Sequence, residues 1–217
     1  MKLFLMGASG MIGSRILAEA VARGHEVVAG ARNPDKIAAL SGVTPVKVEA
    51  TDAAALAEYA KPADAFLFSV SPRSTGDAVA EAEGFARAVI PVAEKTGTRV
   101  VVVGGAASLK LPDGSAVLDL LPDFVRPEAT GFIKFRKALE ASEADWTFFA
   151  PAITIEPGER TGTYRLGTDT AVLDAEGNGR ISAEARQQSG ITEALLRVAV
   201  GLESVEDIYA DLISGLG

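Results

Sequence analysis

The sequence contains no cysteine and only one histidine, His25. Disulfide bonds, thiol nucleophiles and thiolate metal sites are therefore excluded, and a zinc site built from histidines is not expected. His25 lies in the turn Arg23–Glu26, ahead of an apolar run. We expect it to be a surface histidine rather than a catalyst. The sequence thus predicts no metal site.

Long apolar runs and an excess of basic residues are also absent. The apolar start extends only from Leu3 to Met6, which is too short for a signal peptide or a membrane span. The formal net charge is -8, and such a chain repels nucleic-acid phosphates and anionic lipids. We therefore expect a cytoplasmic protein that binds neither nucleic acid nor membranes. Cations that bind an anionic ligand must be local exceptions.

Strand and helix patterns alternate regularly up to residue 103. The predicted strands are Lys2–Met6, Glu26–Ala31, Thr44–Glu49, Ala65–Val70, Arg99–Val103 and, later in the chain, Trp146–Ala150. The predicted helices are Met11–Arg23, Pro34–Leu40, Asp52–Ala60, Thr75–Lys95 and Glu128–Ser142. Such alternation predicts a parallel sheet covered on both faces, which is a doubly wound α/β fold of the Rossmann type.

The pattern changes after Gly105. The sequence predicts a loop over residues 109–126 and loops plus a hairpin over residues 151–180. From Ser182 onward the chain is predicted to be mostly helical. The length suits a single domain spanning residues 1–217. We expect residues 151–217 to form a small substrate-side portion, integrated with that domain at the carboxyl edge of the sheet, where ligands of such folds bind.

A glycine-rich turn joins the first strand to the first helix. It consists of Gly7, Ala8, Ser9, Gly10, Met11, Ile12 and Gly13. In such a loop Gly7 permits the tight turn, Gly10 lets the backbone approach a pyrophosphate, and Gly13 lets the helix pack on the strand. Amide groups at the start of the helix then face the phosphates. Three glycines alone are a weak signal, but their position in a βαβ unit predicts a dinucleotide site.

The end of the second strand bears on the choice between NAD and NADP. NAD-preferring domains carry an acidic residue there, but this stretch has none, and Arg32, Asn33 and Lys36 follow. An arginine can hold a 2′-phosphate with two N–H groups. The sequence therefore favours NADP, with NAD as the alternative. Asp35 weakens this prediction, and both cations could instead be solvated surface charges.

Further cofactor contacts are expected where other strands end. Ser69, Val70 and Ser71 follow the fourth strand, and Gly104 and Gly105 follow the fifth. We expect both segments to flank the ribose and nicotinamide. Asp52, after the third strand, either approaches the adenine edge or caps the next helix, and the cap is at least as plausible.

Several motifs resemble a known family. They are Gly7–Gly13, Ala31–Pro34, Val103–Ser108, Asp145–Thr147, Glu156–Gly162 and Tyr164–Gly167. The chain resembles the atypical short-chain dehydrogenase/reductases, and more closely the NAD(P)H-binding, NmrA-like and NADH-flavin reductase-like proteins, which are similar to biliverdin-IXβ/flavin reductase. The resemblance covers roughly residues 1–182. It departs at Ala183–Gly190, where relatives continue with an Asp-Tyr-Ala helix, and their usual closing strand is not evident.

The familiar short-chain dehydrogenase catalyst is missing. It is a tyrosine followed four residues later by a lysine, but Tyr59, Tyr164 and Tyr209 have no such partner. The resemblance implies that Ser108 lies near the nicotinamide. Lys134 is a weaker electrostatic candidate that is more plausibly a solvated helix residue. Phe132, Phe135 and Trp146 could line an acceptor pocket, although core packing is the stronger reading for all three.

These features favour an NADPH-dependent reductase of a flavin- or quinone-like acceptor, because such acceptors can take protons from water. The competing hypothesis is an NADP-binding sensor of the NmrA-like type without turnover. A sugar epimerase ranks last, since it needs the missing tyrosine. The sequence does not fix the oligomeric state, and a homodimer is one assembly that it allows.

Overall fold

A computed structural model describes residues 1–152, 167–173 and 198–200. The strands are β1 Lys2–Met6, β2 Glu26–Ala31, β3 Val43–Lys47, β4 Ala65–Phe68, β5 Arg99–Val103, β6 Trp146–Phe149 and β7 Val198–Val200. The helices are α1 Met11–Ala22, α2 Ala53–Ala60, α3 Ala78–Thr96 and α4 Arg126–Glu140. No helix in these ranges is long and apolar enough to cross a membrane.

The strands form one sheet in the order β3-β2-β1-β4-β5-β6-β7. The first six strands run parallel, and β7 pairs antiparallel with β6. The chain winds outward from β1 in both directions, so that β1 and β4 meet at the point where the strand order reverses. This confirms the predicted Rossmann-type fold and places a ligand crevice at the carboxyl ends of these strands.

Alternate residues of each buried strand face opposite layers. Phe4 and Met6 pack with α2, α3 and α4, whereas Leu3 and Leu5 pack with α1. Both sets are buried because successive side chains of a strand point to opposite faces of the sheet. The strands therefore read as continuous apolar runs, which is why the sequence predicted them well.

Close packing between α3 and α4 fixes the position of α4. A Cβ atom on Gly131 would lie 2.8 Å from both the carbonyl oxygen of Ala78 and the Cβ of Ala82. Only a residue without a side chain allows this approach, so Gly131 sets how deeply α4 settles against α3. The amino-terminal part of α4 then borders the carboxyl edge of the sheet.

The structure corrects some of the predicted elements. The helix expected over residues 34–40 is a single 3-10 turn, Pro34–Lys36, and the predicted loop 109–126 contains another, Val117–Leu120. The prediction that the end of the chain is mostly helical is wrong for Val198–Val200. These residues form a strand that pairs with the outer edge of β6. The other residues of that end, and most of the predicted hairpin, lie outside the described ranges.

His25 is buried, not at the surface as expected. Its side chain is 8% exposed, because the turn after α1 folds back and the His25 amide donates to the carbonyl of Ala20. Nδ1 lies 3.5 Å from the amino group of Met1, and Nε2 has no partner among the described residues. The ring sits at the amino end of β2, the opposite edge of the sheet from the ligand crevice.

Candidate functional site

A cleft of about 1210 Å³ runs along the carboxyl ends of the strands. It is larger than the roughly 300–1,000 Å³ of typical small-ligand pockets. Of the residues predicted to bind a cofactor, those that line the cleft are Gly7, Ser9, Gly10, Met11, Ile12, Arg32, Asn33, Lys36, Ser69, Val70, Ser71, Gly104 and Gly105. The sequence therefore predicted many of the residues that line the glycine-loop side of the cleft.

Each glycine of the first loop meets a different environment. Gly7 has a φ of +94°, and a Cβ there would overlap the carbonyl oxygen of Ser69 at the end of β4. A Cβ on Gly13 would overlap the carbonyl oxygen of Gly7, so the helix packs directly on the turn. At Gly10 the nearest atom to a Cβ is 3.3 Å away. Protein packing thus requires Gly7 and Gly13, while a Cβ at Gly10 would meet the carbonyl oxygen of Gly7 tightly but without overlap.

The mouth of α1 is suited to an anion. Gly10 is the N-cap residue, and no side chain caps the helix or adds an acidic group to its first turn. The first amides of a helix carry partial positive charge and need acceptors that the helix cannot supply. Ala8 supports the loop from below, since it is buried and its amide donates to the carbonyl of Gly30. The uncapped amides that follow Gly10 are therefore of the kind that binds phosphate groups.

The β2–β3 end of the cleft carries three charged side chains. Arg32 and Lys36 are exposed and line the cleft, and Asn33 between them accepts a hydrogen bond from the amide of Asp35 at 3.1 Å. Glu49, which follows β3, lines the same end. Sequence reasoning missed Glu49, although its place just after a strand was a usable signal. The charged side chains that line this end of the cleft are therefore two cations and one carboxylate.

Asp52 does not reach the cleft. Its carboxylate accepts hydrogen bonds from the amides of Ala54 and Ala55, both at 3.1 Å, as the N-cap of α2. Of its neighbours, Ala50 and Thr51 line the cleft, but Asp52 does not. The geometry thus supports the capping alternative for Asp52, and its contact with a cofactor stays a prediction.

The other end of the cleft has an apolar wall. Val125, Ala129 and Phe132 present one face of α4, together with Leu121 and Phe85. Their spacing of three to four residues puts them on one side of the helix. Of the three predicted aromatic candidates, Phe132 lines the cleft. All three pack with the core cluster: Phe132 is only 6% exposed, and Phe135 is fully buried against Phe68.

Ser108 and Lys134 lie outside the cleft lining. The Ser108 hydroxyl donates to the carbonyl of Gly105 at 3.0 Å, closing a 3-10 turn whose residues Ala106 and Ala107 face the cleft instead. Lys134 is half exposed, and its Nζ lies 2.6 Å from Glu83 Oε1, which joins α4 to α3. This geometry gives both residues structural contacts and argues against their expected place beside the reacting atoms.

Three further charged residues, Arg73, Glu81 and Glu128, line the α4 end of the cleft. Arg73 and Glu128 form an ion pair of 2.7 Å between the β4–α3 loop and α4. Sequence reasoning missed all three, because the pairing depends on how the loop and the helix meet in space.

Residues 7–185 match a family described as NAD(P)H-binding. The chain belongs to this family. An uncharacterised Bacillus subtilis protein, YwnB, is 35% identical over 191 residues, which cover 84% of this chain and 86% of that protein. The match confirms the resemblance drawn from the sequence motifs and supports a nicotinamide cofactor in the cleft.

Solved structures show the same likeness. A candidate epimerase from Bacteroides thetaiotaomicron is 29% identical, with a TM-score of 0.73 over 94% of this chain and 98% of that one. A candidate NADH-flavin reductase from Streptococcus pneumoniae is 28% identical, with a TM-score of 0.65 over 92% and 99%. The neighbours are thus atypical short-chain dehydrogenase/reductase proteins with an oxidoreductase-like fold.

The last part of the chain has a different relationship. Residues 174–217 match a family described as PLP-dependent enzymes of Cys/Met metabolism. The departure from the reductase-like pattern after Ser182 therefore coincides with a stretch that is similar to another family. Strand β7 falls within this stretch and yet pairs with β6 of the NAD(P)H-binding sheet.

Proposed function

We propose that the protein is an NADPH-dependent reductase that transfers hydride to a planar, flavin- or quinone-like acceptor. The observation that carries this proposal is the continuity of the cleft. It leads from the cations after β2, past the glycine loop, to the apolar face of α4. One cleft can thus hold a dinucleotide and an acceptor end to end.

The cofactor would be held by groups along the carboxyl edge of the sheet. Arg32 and Lys36 would bind the 2′-phosphate, and the amides that follow Gly10 would bind the pyrophosphate. The segments Ser69–Ser71 and 104–105 would flank the nicotinamide, since they end the neighbouring strands β4 and β5. When bound there, the reduced nicotinamide supplies a hydride.

The choice of acceptor follows from what the cleft offers. The sequence of α4 contains no tyrosine, so the helix cannot supply the tyrosine acid of ordinary ketone reductases. The wall of Val125, Ala129 and Phe132 offers apolar area that excludes water from a flat ring. Flavins and quinones need position and exclusion of side reactions more than a protein acid.

The direct test is oxidation of NADPH, followed by its absorbance, with riboflavin and a soluble benzoquinone as acceptors. We expect turnover that depends on the acceptor. In Phe132→Leu the acceptor KM should rise about threefold, because the ring is lost from the wall. Leucine is chosen because Phe132 is 6% exposed and packs in the core, where alanine would leave a destabilising cavity. The NADPH Kd should stay within twofold, since Phe132 lies beyond the predicted nicotinamide position.

Tight NADP binding without acceptor-dependent oxidation would reject the reductase and favour the NmrA-like sensor. A control with the same change is Phe124→Leu. Phe124 is 85% exposed, belongs to the segment just before α4, and does not line the cleft. Equal effects of the two substitutions on the acceptor KM would contradict the placement of the acceptor.

A further inference from the structure

The loop between β4 and α3 is fixed by one carboxylate. Glu81 of α3 accepts hydrogen bonds from the amides of Ser74 and Thr75 at 2.8 and 3.2 Å and from the Thr75 hydroxyl at 3.3 Å. Three donors share its negative charge. The loop is thereby pinned to the start of α3, so the backbone of Arg73 is held at the rim of the cleft.

Arg73 reaches from this loop to α4. Its Nε donates to Glu128 Oε2 at 2.7 Å, between residues that lie 55 positions apart in the chain. Both side chains line the cleft, with 73% of Arg73 and 21% of Glu128 exposed. The two terminal nitrogens of Arg73 have no partner within the described ranges. Glu128 thus orients the guanidinium through Nε. The two terminal nitrogens remain available to a ligand.

Of the three charged side chains that line this end of the cleft, two are carboxylates that already accept hydrogen bonds and one is the guanidinium of Arg73. Glu81 is engaged by the loop, and Glu128 is paired with Arg73. The terminal N–H groups of Arg73 are then unused donors beside the apolar wall formed by Val125 and Phe132. A guanidinium binds carboxylates and phosphates through parallel N–H groups.

We infer that Arg73 forms an anion subsite at the acceptor end, so that the preferred acceptor is a flat apolar ring that carries an oxyanion, such as a phosphate monoester. This inference rests on the proposed function and narrows it. The ring would lie on the wall of α4, and its anionic group would reach the loop between β4 and α3. A neutral ring would lack that second contact.

The test compares flavin mononucleotide with riboflavin, which differ by one phosphate group. Binding is measured by quenching of flavin fluorescence with the protein saturated in NADP+, so that the phosphate cannot occupy the glycine loop. We expect flavin mononucleotide to bind about tenfold more tightly, as one charge-assisted contact allows. The preference should shrink as salt is raised, because Arg73 is exposed.

In Arg73→Gln the preference for flavin mononucleotide should fall below twofold, while riboflavin and NADPH bind as before. Arg23→Gln is the matched control, since Arg23 also pairs with a glutamate, Glu19 at 2.7 Å, but far from the cleft. That variant should keep the full preference.

Equal binding of the two flavins by the unmutated protein would overturn the anion subsite and leave the reductase proposal standing. A preference that persists in Arg73→Gln, or that exists only without NADP+, would also overturn it. Failure of both flavins to bind and to be reduced would remove the inference together with a flavin acceptor. Loss of NADPH affinity in Arg73→Gln would assign Arg73 to the cofactor instead.

Discussion

At the scale of single residues, spacing along the chain predicted the glycine loop but not the charged residues around it. Gly7, Gly10 and Gly13 belong to one turn, so their roles follow from local geometry. Glu49 and Arg73 come from different loops and meet the cleft only because β3 and β4 end at the same edge of the sheet. The place of Glu49 after a strand was a usable signal, but no pattern within the segment of Arg73 reveals where that loop lies.

Reversing the charge of Arg32 tests the choice of cofactor. We expect Arg32→Glu to weaken NADPH binding by tenfold or more and NADH binding by less than twofold, because the substitution removes a phosphate ligand and adds repulsion. Titration calorimetry with both nucleotides would measure the difference. Equal affinity of the unmutated protein for the two would contradict the NADP assignment.

Glu49 supplies the opposite control. If Glu49 binds the ribose 2′-hydroxyl, as an acidic residue does in NAD-preferring domains, Glu49→Gln should weaken NADH binding. We expect no such loss, since Arg32 and Lys36 line the same cleft and favour a 2′-phosphate over an unmodified 2′-hydroxyl. A marked loss of NADH affinity in Glu49→Gln would favour NAD as the natural cofactor.

At the scale of elements, strands were predicted better than helix ends. Buried strands are apolar throughout, and the two layers on either side of the sheet enforce that. Helix ends depend on capping and packing, which is why the helix expected from Pro34 is one 3-10 turn and why α4 begins at Arg126 rather than at Glu128. Strand β7 was missed because residues 183–217 depart from the pattern that guided the rest.

The cap of α2 gives a prediction at this scale. Replacing Asp52 by alanine leaves the amides of Ala54 and Ala55 without their acceptor and should lower the free energy of unfolding by about 1 kcal/mol. Urea denaturation would measure this loss. NADPH affinity should not change, and a tenfold loss of affinity would restore Asp52 to the cofactor site.

The contact between α3 and α4 gives another prediction. Gly131→Ala should destabilise the protein by about 1–3 kcal/mol, because the new methyl group meets the backbone of Ala78. Gly84→Ala in α3 is the matched control, since its Cβ would only touch Thr51 at 3.4 Å. It should stabilise by about 0.5–1 kcal/mol through helix propensity. Equal stabilisation by both would contradict the close packing.

At the scale of the whole molecule, one sheet joins sequences related to two families. The NAD(P)H-binding match ends at residue 185, while β7 lies in the stretch that resembles the PLP-dependent enzymes. We propose that residues 1–217 nevertheless form a single domain, since β7 completes the sheet beside β6. One cooperative unfolding transition, seen by both tryptophan fluorescence and circular dichroism, would support this, and two separate transitions would contradict it.

Assembly and cofactor binding belong to the same scale. A homodimer stays a prediction that light scattering can test.

Binding of NADPH at a hundred times its Kd should stabilise the folded chain by about 2.7 kcal/mol and raise its melting temperature by several degrees. An unchanged melting temperature at saturating NADPH would contradict a site on the folded chain.

The central claim is that the amides at the mouth of α1 receive a dinucleotide diphosphate, and Gly10→Val tests it most directly. The backbone at Gly10 has a φ of -77°, which a side chain tolerates, so the variant should fold. A Cβ there meets the Gly7 carbonyl oxygen at 3.3 Å and valine is a poor N-cap, so some stability is lost, and Gly10→Ala is a milder second choice. Calorimetric titration with NADPH should show one site per chain in the unmutated protein and at least a hundredfold weaker binding in Gly10→Val, while circular dichroism shows that the free variant is folded. Binding of NADPH by the folded variant with unmutated affinity would contradict the account.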